Sequence, residues 1–193
     1  MEEVMTAVIQ RPLTMARTFI ASRVSEGAQV IDATAGNGHD TLFLARLVGN
    51  QGRVFSFDIQ QEAIEHTRRR LEAENILERV NLIQHGHEQM HYFVHEPVAA
   101  VMFNLGYLPR GNHLIVTRPD STVGALEASL QILCRGGIIT IVLYTGHNGG
   151  REEQDAVLEF CQKLNQKHYT VLSYSIINQV NEPPSLLVIE SLH

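Results

Sequence analysis

The chain has 193 residues, 44% of them hydrophobic and 19% charged, the proportions of one globular domain with a sizeable core. Its formal charge of −6 argues against broad, nonspecific binding of nucleic acid, and it contains no apolar run long enough to span a membrane. The two cysteines, Cys134 and Cys161, form no CxxC, and the start, MEEVMTAVIQ, is neither basic nor strongly apolar; both features point to a cytoplasmic protein with reduced thiols and no signal peptide.

Residues from about Glu3 to Val24 predict an amphipathic helix or two, with a break at Pro12. A turn at Ser25 to Gly27 leads to a first strand, Gln29 to Ala33, and a helix from His39 to Val48. A second strand follows over Arg53 to Asp58, then a helix over Gln61 to Glu74. Val80 to Gln84 is a third strand, His85 to His95 a short helical or irregular segment, and Val98 to Phe103 a wholly apolar fourth strand, as expected where both faces are covered. Asn104 to Pro119 reads as a long loop, Thr122 to Leu133 as a helix, Gly136-Gly137 as a turn and Gly137 to Tyr144 as a fifth strand. A glycine-rich loop to Gly150 precedes a helix over Glu152 to Asn165. The last two strands, Tyr169 to Ile177 and Ser185 to Glu190, have no helix between them, so the chain closes on a hairpin that sets an antiparallel seventh strand in a parallel sheet.

The stretch that organises the rest is Val30 to Thr41, VIDATAGNGHDT. Strand, glycine turn, helix is the layout of a nucleotide-binding βα unit. Gly36 and Gly38 permit a sharp turn and close approach of backbone to ligand, and the helix N-terminus offers free N–H groups. Asp58 ends the next strand, about 20 residues on, where a carboxylate accepts the ribose hydroxyls of an adenosine. NAD sites share that logic, but Thr41 stands where their third glycine would be. Asp-x-Thr-x-Gly-x-Gly resembles motif I of the class I S-adenosylmethionine (SAM)-dependent methyltransferases, which also end on such a hairpin.

That resemblance implies a Rossmann-like α/β fold: a seven-stranded, mostly parallel sheet with an antiparallel last strand and helices on both faces. It implies one SAM-binding domain over residues 1–193, with 1–27 as an N-terminal helical segment. The cofactor-binding set would be Asp32, Thr34, Gly36, Asn37, Gly38, Asp40, Thr41, Asp58, Gln60 and His87. The turn would cradle the methionyl end, with Asp40 or Thr41 near its amino group. Asp58 would hold the ribose, Gln60 would sit beside the adenosine and His87 near the adenine.

After the fourth strand comes Phe103-Asn104-Leu105-Gly106-Tyr107-Leu108-Pro109, placed by the strand-order reversal in the same crevice as the glycines. It is similar to the Asn-Pro-Pro-Tyr motif of amine-directed methyltransferases, with Leu105 and Gly106 replacing the two prolines. That likeness makes Asn104 and Tyr107 the candidate catalytic pair: the Asn oxygen orients the acceptor nitrogen and the aromatic ring packs on the substrate. Arg110, Tyr144 and His147 are candidate substrate contacts, His147 also as a proton acceptor; an exposed His in a glycine-rich loop is the plainer alternative. His85, His87, His91 and His95 lack a second ligand cluster, so no metal is expected. Arg11, Arg17, Arg23 and the run Arg68-Arg69-Arg70 could form a local basic face, although a solvated helix face is favoured for the triple arginine.

DATAGNGHDTLFLA, FNLGYLP, TRPDST and YTGHNGG, in this order across nearly the whole chain, together resemble the small bacterial YtqB-like (MnmM) family, long labelled rRNA methylase. The resemblance implies SAM-dependent methylation of the aminomethyl nitrogen of 5-aminomethyl-2-thiouridine at the wobble position of tRNA, and a homodimer is expected for so short an RNA enzyme. The alternatives are an rRNA cytosine N4 methyltransferase, favoured by the older label, and a non-catalytic SAM-binding module. An NAD-dependent oxidoreductase is disfavoured by Thr41 and the terminal hairpin.

Overall fold

The computed structural model describes residues 8–106, 116–180 and 182–193. Two of the expected site residues, Tyr107 and Arg110, and the first residues of the expected N-terminal helix lie outside the described residues. Helix α1 spans Pro12–Arg23, so Pro12 starts the helix instead of breaking it: proline fits the first turn, where its missing N–H is not needed. Pro12, Ala16 and Ile20, one turn apart, form its buried stripe.

The remaining elements alternate as expected: β1 (Gln29–Asp32), α2 (His39–Val48), β2 (Arg53–Asp58), α3 (Gln61–Ala73), β3 (Val80–Gln84), β4 (Val98–Asn104), α4 (Pro119–Ile132), β5 (Leu133–Leu143), α5 (Gly150–Gln162), β6 (Tyr169–Tyr174) and β7 (Ser185–Ser191). Short 3-10 helices cover Leu77–Arg79 and His87–Tyr92. The seven strands lie in the order β3-β2-β1-β4-β5-β7-β6. β7 runs antiparallel to both β5 and β6, and the pairings among the first five strands are parallel.

Two expectations for the second half are corrected. Gly136-Gly137 is not a turn before β5 but a bulge within it: Val98 pairs with Leu133, while Ala100 pairs with Ile138. Gly136 takes φ +71 there, and its carbonyl accepts a hydrogen bond from Arg23 Nε on α1, a tertiary contact with no local sequence sign. β6 stops at Tyr174, short of the expected Ile177, whose side chain is exposed.

The sheet is covered on both faces. On one, Ala16, Ile20, Leu44, Val48 and Leu71 from α1, α2 and α3 pack on Val30, Val54, Ala100 and Val188. On the other, Met90, Leu126 and Val157 pack on Ile31, Phe57, Val101 and Ile139. Each fully buried large side chain such as Leu44 or Leu71 contributes roughly 1.5–3 kcal/mol. These cores hold the carboxyl ends of β1, β2 and β4 side by side, and the site is built there.

Candidate active site

β1 lies between β2 and β4, with the chain leaving it in opposite directions along the sheet, so a crevice opens above its carboxyl end. A cavity of about 810 Å³ occupies this place, within the size range of ligand sites. Of the expected residues, the structure brings Thr34, Gly36, Asn37, Asp40, Asp58, Gln60, His87, Asn104, Tyr144 and His147 to its wall.

The turn between β1 and α2 is gripped from several sides. Gly36 has φ +52, and its N–H donates to Asp58 Oδ2 at 3.0 Å. The other carboxylate oxygen of Asp58 accepts the Gln60 N–H at 2.9 Å. A carboxylate has about four acceptor positions, so Asp58 retains capacity toward the cavity. Burial raises its pKa, against the lowering effect of those backbone donors. From α3, Arg70 Nε donates to the Asn37 carbonyl at 2.7 Å and His66 Nδ1 meets Asn37 Oδ1 at 3.1 Å. Arg70 also reaches His39 Nε2 at 3.2 Å, and His39 is shifted down by burial and by this cation. Arg68 and Arg69 are exposed, as a solvated face requires, but Arg70 is not: it is a brace for the turn that the triple-arginine reading missed.

Asp32, Gly38 and Thr41 lie beneath the wall. Asp32 is fully buried, accepting Thr41 Oγ1–H at 2.6 Å and the Thr34 N–H at 3.1 Å, and Thr41 Oγ1 also meets Ser56 Oγ at 2.9 Å. Burial first, and then the nearby Asp40, push the Asp32 carboxyl up to about 7. Thr41 thus supplies a hydroxyl to a buried acid, which a third glycine would leave bare. Gly38 caps α2 at φ +76, and a Cβ there would sit 2.8 Å from Thr67 Cα. Its glycine is needed for the approach of α3. Asp40, 6% exposed at the start of α2, is paired with Arg17 of α1 at 2.7 Å.

Across the strand-order reversal, the Asn104 N–H donates to Thr34 Oγ1 at 2.9 Å, tying the end of β4 to the end of β1. The Asn104 side-chain oxygen is buried and has no hydrogen-bond partner among the described residues. Asn104 is part of the cavity wall, and an orphaned buried acceptor is costly to keep. His87 is 8% exposed and its Nδ1 lies 3.0 Å from the Ala33 carbonyl. A carbonyl only accepts, so Nδ1 carries the proton; burial lowers the pKa and keeps the ring neutral. His85 packs against Phe93 and His91 against Tyr92, and among the described residues no three His, Cys, Asp or Glu side chains are grouped to hold a metal ion. Tyr144, the residue after β5, is 36% exposed, and its hydroxyl pKa is raised by partial burial and then by Asp40. His147 stands in the following loop, its Nδ1 3.1 Å from the Asn148 carbonyl.

Sequence reading did not single out Glu153. It is 1% exposed in the first turn of α5, and its two oxygens accept the hydroxyls of Thr117 and Thr122 at 2.7 and 2.6 Å. A carboxylate after a glycine-rich loop looks like a helix N-terminal acid, so its sequence context hides this burial.

Comparison with known proteins agrees with this architecture. The family described as "Putative rRNA methylase" matches residues 54–190. A second, described as protein-L-isoaspartate(D-aspartate) O-methyltransferase, matches residues 2–105 and so ends at β4. A curated Arabidopsis thaliana protein, "tRNA (mnm(5)s(2)U34)-methyltransferase, chloroplastic", is 40% identical over 83% of this chain. The match spans 62% of that protein's length. Among solved structures, a "putative rRNA-methylase" from Clostridium thermocellum is 49% identical with a TM-score of 0.94, over 96% of this chain and all (100%) of its own. A "putative methyltransferase" from Streptococcus mutans, in complex with SAH, is 41% identical with a TM-score of 0.89 over the same shares.

Proposed function

The chain belongs to the family described as "Putative rRNA methylase", and from that membership and the geometry above we propose that it is a SAM-dependent methyltransferase acting on tRNA, at the aminomethyl nitrogen of 5-aminomethyl-2-thiouridine in the wobble position. The observation that carries the reading is the orphaned Asn104 oxygen beside the gripped glycine turn. The cavity wall suits SAM on two counts: Asp58 has acceptor capacity left for a ribose, and neutral His87 offers Nε2 as an acceptor on the adenine side. Support also comes from the SAH complex of the Streptococcus mutans protein and from the tRNA position in the name of the Arabidopsis relative.

Bound SAM supplies an electrophilic methyl group on sulfur. The protein's own contribution is positional. Asn104 is an uncharged acceptor: it orients an amine N–H without favouring the ammonium form, whose nitrogen has no lone pair to react. Thr34 fixes Asn104 through its backbone, and Tyr144 and His147, beyond the neighbouring β5, line the same cavity as substrate contacts. The proposal includes a cytoplasmic location, consistent with the free thiols of Cys134 and Cys161, and a homodimer, consistent with an edge strand β6 whose Val171 and Leu172 are exposed.

The test is methylation by the purified protein of tRNA and of rRNA, each lacking the mark, with nucleoside mass analysis. Methylaminomethyluridine in tRNA is expected. Transfer to an rRNA cytosine instead would favour the N4 alternative, and SAM binding without transfer to either RNA would favour a non-catalytic module.

A further inference from the structure

We propose that Glu153 is a positioning residue for the acceptor side of the site: it holds the end of β4, and with it Asn104, by anchoring the hydroxyls of Thr117 and Thr122. The inference rests on the proposed methyl transfer only for its kinetic readout.

The chain leaves β4 through Asn104, Leu105 and Gly106 and is next described at Val116. At that point it is back beside its exit. The Gly106 N–H donates to Thr117 Oγ1 at 3.0 Å, and the Thr117 N–H donates to the Gly106 carbonyl at 3.0 Å. Thr117 Oγ1 accepts from Gly106, so its own proton is free to go elsewhere, and it goes to Glu153 Oε2. The second Glu153 oxygen takes the hydroxyl of Thr122, in the first turns of α4. One carboxylate on α5 therefore fastens two segments that flank the cavity: the β4 exit and the start of α4, which brings Arg118 and Ser121 to the wall.

The energetics make pure packing a poor account of Glu153. Burying a carboxylate costs several kcal/mol, and its side-chain partners among the described residues are two neutral hydroxyls, with no Lys or Arg. What an acid does that an apolar residue does not is accept from two hydroxyls in fixed directions. The Thr117 hydroxyl, oriented in this way, holds the Gly106 amide two residues beyond Asn104.

The test uses the full chain as wild type, Glu153→Ala, Glu153→Gln and Thr117→Val. Three quantities are read: SAM affinity by calorimetry, single-turnover methylation of tRNA bearing 5-aminomethyl-2-thiouridine, and hydrogen exchange at the Gly106 amide. Glu153→Ala and Thr117→Val are expected to slow transfer by about 10–100-fold, the scale of small misplacements, with SAM affinity held within about twofold. Glu153→Gln, with one acceptor left, should fall between wild type and Ala. Gly106 exchange should quicken by about tenfold or more in Glu153→Ala and Thr117→Val, with the Gly36 amide unchanged. A normal Gly106 amide in Glu153→Ala overturns the proposal, as does a loss of SAM affinity in proportion to the loss of rate. If Glu153→Ala does not fold, Glu153→Gln decides: wild-type Gly106 exchange and a wild-type transfer rate in that variant overturn the proposal. The exchange measurement needs no acceptor, so a wild type inactive on tRNA would refute the proposed function and leave the role of Glu153 to be settled by Gly106.

Discussion

Gly36 donates its amide to Asp58 Oδ2 at 3.0 Å, so the acid at the tip of β2 holds the glycine turn of β1 as well as facing the cavity. Asp58→Ala therefore removes two supports for a cofactor at once. SAM binding should weaken by at least about 1.5–3 kcal/mol, the scale of hydrogen bonds to a charged group, with the fold retained. Calorimetric titration measures this, and unchanged affinity would refute the ribose assignment.

Asp32 gives the fold a pH dependence of defined sign. Its carboxyl sits at about 7 in the folded protein against an ordinary 3.8, so the folded state holds the proton more tightly than the unfolded chain. Stability from this group is full below about 3.8, declines as pH rises toward about 7 at up to roughly 1.4 kcal/mol per unit, and is lost above it. Asp32→Asn keeps the shape without the charge. Its amide can donate to Thr41 Oγ1, which then donates to Ser56. The variant should be more stable than wild type at pH 8, with the advantage shrinking toward pH 4. Urea unfolding across pH reads the difference, and parallel curves would show that Asp32 does not titrate in this range.

Gly38→Val should damage the protein through α3. The side chain would meet Thr67 Cα, a backbone atom that cannot swing aside, from a residue at φ +76. A loss of stability of at least about 1–3 kcal/mol is expected from the backbone conformation alone. SAM affinity should fall with it, because Thr67 Oγ1 and Arg70 of the displaced helix bond the carbonyls of Gly36 and Asn37. A variant of wild-type stability that has lost only SAM affinity would place Gly38 against the ligand instead.

Asn104→Ala should separate activity from stability. Its buried oxygen has no partner among the described residues, so removing it discards an unsatisfied acceptor and leaves Tm unchanged or raised. Single-turnover transfer to tRNA should nonetheless fall by about 100-fold, with little change in SAM affinity. Asn104→Asp should be a poor rescue at neutral pH, because its charge favours the protonated, unreactive amine, and the wild-type rate should rise with pH as the bound amine deprotonates. A fully active Asn104→Ala enzyme would remove this residue from the mechanism.

By itself the sequence determined the order of strands and helices, the glycine turn with Asp58 one strand later, and the closing hairpin. Each of these is written in local patterns: apolar runs of strand length, helical spacing of Leu44, Leu47 and Val48, and glycines where φ turns positive. It also placed Asn104 at the mouth of the crevice, because the carboxyl end of a buried strand is legible once the strand is. Tertiary structure alone decided which side of each residue matters. Gly38 faces Thr67, Arg70 turns inward from an arginine run to grip Asn37, and Gly136 bends β5 toward Arg23. Glu153 finds its partners 36 and 31 residues away in sequence. No local pattern encodes such pairs. They arise where packed helices bring distant polar groups out of water, and each group must then be satisfied by whatever the fold sets beside it.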